Sequence, residues 1–164
     1  MPRLSKTMMT LQSAYNHLSL DIEDTVTQCR HLLANYKRLV WISHTSWQPL
    51  ATTYTLSDTA AGLSLIYTLC QKNLPLLPST NLASTDFVTH TLQQVLTHVR
   101  AYPHNGALFY EILHAYYFDD TSPSDEALMV RLHLERSSYY QRKKEALSLF
   151  GYLLFAWYLP ALSA

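Results

Sequence analysis

From Ile22 onward the apolar positions fall at Ile22, Val26, Cys29, Leu32, Leu33, Tyr36, Leu39 and Val40. Steps of three and four gather them on one face, and the spacing predicts a single amphipathic helix over about 20–42. Asp21, Glu23 and Asp24 stand at the end where the peptide dipole favours anions, and Lys37 and Arg38 at the other. Residues 1–19 carry a weaker pattern and are expected to fray. Residues 43–61 are rich in Ser and Thr, contain Pro49 and show no sustained period, so they are expected to form a linker. A short apolar helix is expected over 62–72. Pro75 and Pro78 end it, because proline lacks an N–H and restricts the residue before it. Phe87, Leu92, Val95, Leu96 and Val99 mark a helix over about 86–101, with Ser84 or Thr85 as its cap. After the turn Tyr102-Pro103-His104-Asn105-Gly106, Asn105 is the cap candidate for a helix over about 106–118.

The pattern changes at Ser122. Ser122 as cap, Pro123 at the first helical position and Asp125 at the third fit a helix start, since proline needs no donor there. The short helix reaches Arg131 with Leu128 and Met129 inward, and Leu132-His133-Leu134 interrupts it. A second helix begins at about Arg136 and carries Tyr139, Ala146, Leu147 and Phe150 on its buried face. Short helix, tight turn and longer helix make the outline of a helix-turn-helix, expected over about 123–148. In that motif the start of the second helix meets base edges in the major groove. The polar residues there are Arg136, Ser137, Ser138, Tyr140 and Gln141, and the basic run Arg142, Lys143 and Lys144 follows in the same DNA-binding set, its two lysines as phosphate contacts. Arg suits guanine, Gln suits adenine, and Ser suits several bases.

Charge supports a local footprint only. Twelve basic and twelve acidic residues leave the 164-residue chain neutral, yet residues 136–144 hold four of the basic ones and no acid. The three glycines are too few for a hairpin-rich β protein, so the expected class is all-α. No H-E-x-x-H, glycine-rich phosphate loop or paired-cysteine spacing is present, and the histidines at 90, 98, 104, 114 and 133 share no ligand spacing. Neither an enzyme, a metal site nor a cofactor is expected. Cys29 and Cys70 read as reduced and buried, no signal-peptide pattern opens the chain, and the uncharged stretch Ala146 to Leu159 is shorter than a membrane span. The expectation is a cytoplasmic protein without a membrane partner.

The string from Leu132 to Leu147, LHLERSSYYQRKKEAL, resembles the C-terminal motif of the ArpU-type phage regulators. These are similar to the RinA-type proteins and to region 4 of sigma factors. Upstream, Tyr110-Glu111-Ile112-Leu113 with Tyr116, Tyr117 and Phe118 is similar to the helix before that motif, and Leu33-Ala34-Asn35-Tyr36-Lys37-Arg38-Leu39 resembles the family's N-terminal helix. The resemblance implies a regulator of phage or prophage late genes that binds double-stranded promoter DNA and contacts host RNA polymerase. It departs at two places. His133 stands where the family often has Gly, and Glu135 stands where it often has a capping Ser.

The expected organisation is an N-terminal helical segment with linker over 1–80 and a DNA-binding domain over 81–164. Two other readings fit the same residues. One is a DNA-packaging protein of the small-terminase kind, and the other a protein-interaction module without DNA affinity. The aromatic tail with Phe150, Tyr152, Phe155, Trp157 and Tyr158 serves as the oligomerisation segment of a ring in the first case and as core packing against 22–42 in the plainer one, and for the regulator a homodimer is the expected self-association.

Overall fold

Ser5 opens the first helix by accepting the N–H of Met8 on its hydroxyl at 3.1 Å. The computed structural model describes residues 4–45, 54–71 and 82–163, and among them it is all-helical. Helix α1 spans Lys6–His17, with Met8, Leu11 and Tyr15 buried along one face. It is an ordered helix, against the expectation of fraying, because its apolar face packs on the last long helix of the chain. The reason is long-range and leaves little local trace.

The helix expected over 20–42 is two helices. α2 spans Ile22–Ala34, capped by the Asp21 carboxylate on the N–H of Asp24 at 2.8 Å. α3 spans Tyr36–Thr45. Between them Asn35 is buried; its N–H turns back to the Leu32 carbonyl at 3.1 Å and its amide donates to the His31 carbonyl at 2.8 Å. Those bonds satisfy carbonyls that a straight helix would have paired one turn on.

α4 spans Leu56–Gln71, so it starts earlier than expected and takes over part of the predicted linker. A reciprocal capping box starts it: Asp58 N–H to Thr55 Oγ1 at 3.0 Å, Thr55 N–H to Asp58 Oδ2 at 3.1 Å. The rest of that linker over 46–53, and the proline-rich stretch over 72–81, lie outside the described residues. α5 spans Leu82–Arg100 and α6 spans Gly106–Leu113. Asn105 holds the cap position at φ 65° but makes no side-chain capping bond. A wide π-turn over His114–Phe118 continues α6. α7 spans Asp125–Arg131 and α8 spans Arg136–Tyr152; a π-segment over Leu153–Tyr158 leads into α9, Leu159–Ser163.

One apolar core runs from Met8 to Leu159 and joins α1, α2, α3, α4, α5, α6 and α8. α2 packs on both α4 and α8, and α5 on α3, α4 and α6. At Gly151 α8 approaches its neighbours closely, since a Cβ there would lie 2.6 Å from Thr25 Cγ2 and 3.0 Å from the Tyr15 hydroxyl. Tyr152, Phe155 and Tyr158 of the aromatic tail pack against the core while only partly buried. Phe150, Leu154 and Leu159 are buried, whereas Trp157 is 60% exposed. The continuous helical stretch Arg136–Leu162, 27 residues, is long and apolar enough to cross a membrane, against the expectation drawn from Ala146 to Leu159 alone. Half of its apolar window is buried against the rest of the fold.

A second, smaller cluster sits beside the main core. Ile112 from the end of α6, Ala115 from the π-turn that follows it, Leu128 from α7 and Tyr139 from α8 are its buried members. It fixes α7 and the start of α8 onto α6.

Candidate nucleic-acid interface

α7 begins two residues later than the sequence suggests. Ser124, not Ser122, is the cap, its Oγ accepting the Ala127 N–H at 3.1 Å. Ser122 instead adopts φ 42° in a turn held by its N–H on the Asp119 carbonyl at 3.3 Å, which puts Pro123 before the cap. Asp125 and Glu126 then occupy the first turn, where the dipole favours them.

The turn after α7 has a defined chemistry. His133 takes φ 56°, the left-handed conformation. Its N–H bonds the Val130 carbonyl at 3.2 Å, and the N–H of Leu134 reaches back to the Met129 carbonyl at 3.0 Å. That pair of bonds is a Schellman motif, and Leu134 and Met129, which flank it, both pack on the small cluster. His133 thus stands at a position that glycine would fill with less strain. Glu135 caps α8 by backbone conformation alone, with no side-chain hydrogen bond, so the first N–H groups of α8 keep their donors.

Beyond that turn the predicted reading residues divide into two groups. Arg136, Ser137, Tyr140 and Gln141 are exposed and Ser138 is half-buried. At 3.6 residues per turn Arg136 and Tyr140 share a face and Ser137 and Gln141 lie just beside it, forming one polar stripe. The Arg136 guanidinium sits 5.3 Å from the centroid of the Tyr140 ring.

The three cations that follow are each paired with an acid of the chain. Arg142 Nη1 is 2.9 Å from Glu145 Oε2, and Glu145 is fully buried. Lys143 is only 9% exposed; its Nζ is 3.1 Å from Asp125 Oδ1 and 3.4 Å from the Tyr116 ring centroid. Lys144 pairs with Glu23 of α2, both side chains being well exposed. Lys143 therefore does not lie on the surface expected of a phosphate contact; the same periodicity that exposes Arg136 and Tyr140 turns it toward α7. Arg142 is turned away as well, about 200° around the helix from Tyr140.

Asp125 is the hub between α7 and α8. It accepts from Tyr139 Oη at 2.6 Å and from Lys143 at 3.1 Å. Burial alone would raise its carboxyl, but those hydrogen bonds outweigh burial and hold it below the ordinary carboxylate value. The Tyr139 phenol is pushed up, first by burial and then by the bond to Asp125.

One neighbour of the stripe has no precedent in the sequence reading. The start of α1 lies alongside it, and Leu4 and Met8 line a cleft of about 420 Å³ together with Ser137, Tyr140, Gln141 and Lys144. Ser5 anchors that arrangement by donating its hydroxyl to Glu145. Ser5 and Glu145 are 140 positions apart, so only the fold could bring them together. Elsewhere, among the described residues, no three His, Cys, Asp or Glu side chains are grouped closely enough to hold a metal ion.

Together these features define an all-α protein with an exposed polar stripe at the start of α8. No family model matches the chain, and no curated protein or solved structure matches it either.

Proposed function

We propose that the chain is a DNA-binding transcription regulator of the phage or prophage late-gene kind, reading promoter DNA with a sigma region 4-like helix-turn-helix made of α7 and α8. The observation that carries this reading is the stripe Arg136, Ser137, Tyr140 and Gln141, exposed on the first turns of a helix that follows a Schellman turn. Those side chains supply a guanidinium, hydroxyls and an amide, the donor and acceptor set that base edges require. The small cluster around Leu128 and Tyr139 supports the motif independently of the main core, as a protruding reader needs. Host RNA polymerase is the proposed protein partner at the promoter.

The test is fluorescence anisotropy with duplexes drawn from upstream of terminase and capsid genes, against a scrambled duplex. A preference of roughly a thousandfold or more for one duplex is the expected signature of specific binding. Equal, salt-sensitive binding to all duplexes, or none, overturns the reading.

A further inference from the structure

Arg136 stands at the first position of α8, the positive end of the peptide dipole, where a cation is disfavoured. Glu135 gives that turn no side-chain cap, and among the described residues Arg136 has no ion-pair partner. Helix stability therefore does not account for a guanidinium at this place. What holds it is a ring. Its Cζ lies over Tyr140, one turn further along α8, at 5.3 Å from the ring centroid. At that distance a guanidinium is drawn to the negative face of the ring. The contact uses none of the five N–H donors of the guanidinium.

The Tyr140 ring is itself fixed from behind. Although 38% exposed, it meets the Tyr139 ring edge-on, with centroids 5.2 Å apart and planes at 74°. Tyr139 is fully buried in the small cluster and donates its hydroxyl to Asp125 Oδ1 at 2.6 Å. The Tyr140 hydroxyl reaches the other oxygen of that carboxylate, Asp125 Oδ2, at 3.5 Å, a long and weak bond. Asp125 lies in the first turn of α7 and also accepts from Lys143. A chain of contacts thus runs from the joint between α7 and α8, through Tyr140, to the guanidinium.

We propose that Tyr140 is a positioning residue for Arg136, holding its guanidinium in one rotamer on the exposed face before DNA arrives. The inference rests on the DNA-binding reading, and it gives Tyr140 a task other than touching a base. A free arginine side chain samples many rotamers, and fixing them at the moment of binding weakens association. Seating the guanidinium on a braced ring removes part of that cost beforehand. The benefit falls on a single contact, so it changes preference at the base pair that Arg136 reads and leaves the other positions alone.

Competition binding of the full chain, with duplexes varied one base pair at a time, tests this. Tyr140→Leu is expected to lower preference by roughly two- to fivefold at the base pair that Arg136→Ala relaxes, with the other positions and the salt slope unchanged. Tyr140→Phe keeps the ring and is expected to restore most of that preference. In an Arg136→Ala background Tyr140→Leu is expected to add no further loss there, because the two residues act as a unit. A second readout needs no DNA. In the free protein the δ-methylene protons of Arg136 are expected to be shifted upfield by the Tyr140 ring, in the wild type and in Tyr140→Phe but not in Tyr140→Leu. Equal loss of affinity for every duplex in Tyr140→Leu would make the residue merely structural and overturn the proposal. Unchanged preference in that variant, or a further loss on top of Arg136→Ala, would overturn it as well. Specific binding without the proton shift would sink this inference alone. The shift without preference for any duplex would sink the DNA reading, and the task assigned to Tyr140 with it.

Discussion

Lys143 Nζ lies 3.1 Å from Asp125 Oδ1, so the second turn of α8 is bound to the first turn of α7 by a partly buried ion pair. The Asp125 carboxyl is held below its ordinary value by the hydrogen bonds from Tyr139 and Lys143, against the opposing effect of burial. A carboxyl depressed in the folded state stabilises the fold above the unfolded value, and that stability is lost as pH falls through the folded value. The window therefore lies below about pH 4. Asp125→Asn is expected to cost about 1–3 kcal/mol at neutral pH, because it leaves Lys143 without its counter-charge. It should also flatten the acid limb of a denaturation series measured between pH 2 and 5. An unchanged acid limb would mean that other carboxylates govern it.

The partners of the basic residues separate two kinds of lysine. Lys144 and Glu23 are both exposed, and an exposed pair holds its members weakly enough for Lys144 to move to a phosphate. Lys143, itself buried, would have to leave a half-buried carboxylate and a ring. Lys144→Ala is thus expected to lower the salt slope of DNA binding by about 0.9, one phosphate's worth, and Lys143→Met to leave the slope alone while lowering thermal stability. Equal slope losses for both would show that the two lysines meet DNA alike.

Arg136 and Gln141 are both exposed on the stripe and separated by about one and a half turns. Each is expected to read a base pair, with roughly 1–3 kcal/mol of discrimination per bidentate contact. Arg136→Ala should relax preference at one position of a randomised binding site, and Gln141→Ala at a neighbouring one. Retention of the wild-type preference at every position would remove them from the reading set.

How much of this was visible beforehand follows from the range of the interactions involved. The α8 face of Tyr139, Ala146, Leu147 and Phe150 is legible because periodicity is local, and so is the interruption at Leu132-His133-Leu134. The exposure of Arg136 and Gln141 follows from the same period. The burial of Lys143 does too in principle, since it falls on the face of Tyr139; the run of basic residues masked that. What the sequence could not carry are partners distant along the chain. Glu145 looks like an ordinary surface acid until Ser5 and Arg142 are seen around it, and α1 looks frayed until α8 covers it. The break at Asn35 is local but is hidden, because the apolar positions continue in step across it.

Gly151 offers a test of the packing itself. In an exposed helix Gly→Ala gains about 1 kcal/mol of helix propensity. Here a Cβ would lie 2.6 Å from Thr25 Cγ2, on a β-branched side chain with little freedom to move. Gly151→Ala is therefore expected to destabilise the protein by about 1–3 kcal/mol, reversing the usual sign. A denaturant midpoint at or above that of the wild type would show that α2 and α8 can move apart without cost.

The charge arrangement sets the strength of DNA binding. Of the four cations in 136–144, Arg142 and Lys143 are engaged with buried or half-buried acids and Lys144 with Glu23, leaving Arg136 as the cation there without an ion-pair partner among the described residues. Asp119, Asp120, Glu126 and Glu135 stand nearby in sequence and oppose a phosphate backbone. Each neutralised phosphate adds only about 0.9 to the salt slope, so one protomer is expected to show a slope near 2 and weak affinity at physiological salt. Useful affinity then requires a second protomer on a neighbouring half-site or RNA polymerase at the promoter, each acting through effective concentration. In the aromatic tail Phe150 is buried and Tyr152, Phe155 and Tyr158 are partly buried against the core, which leaves Trp157, 60% exposed, as the tail's most accessible aromatic for self-association. Trp157→Ala is expected to reduce the cooperativity of operator binding while sparing the affinity of a single half-site. Binding measured against protein concentration, with and without polymerase, decides the matter. Tight, non-cooperative, one-to-one binding by a monomer would refute this expectation, and the assignment of Arg136 and Gln141 as base readers would still have to be judged by their own substitutions.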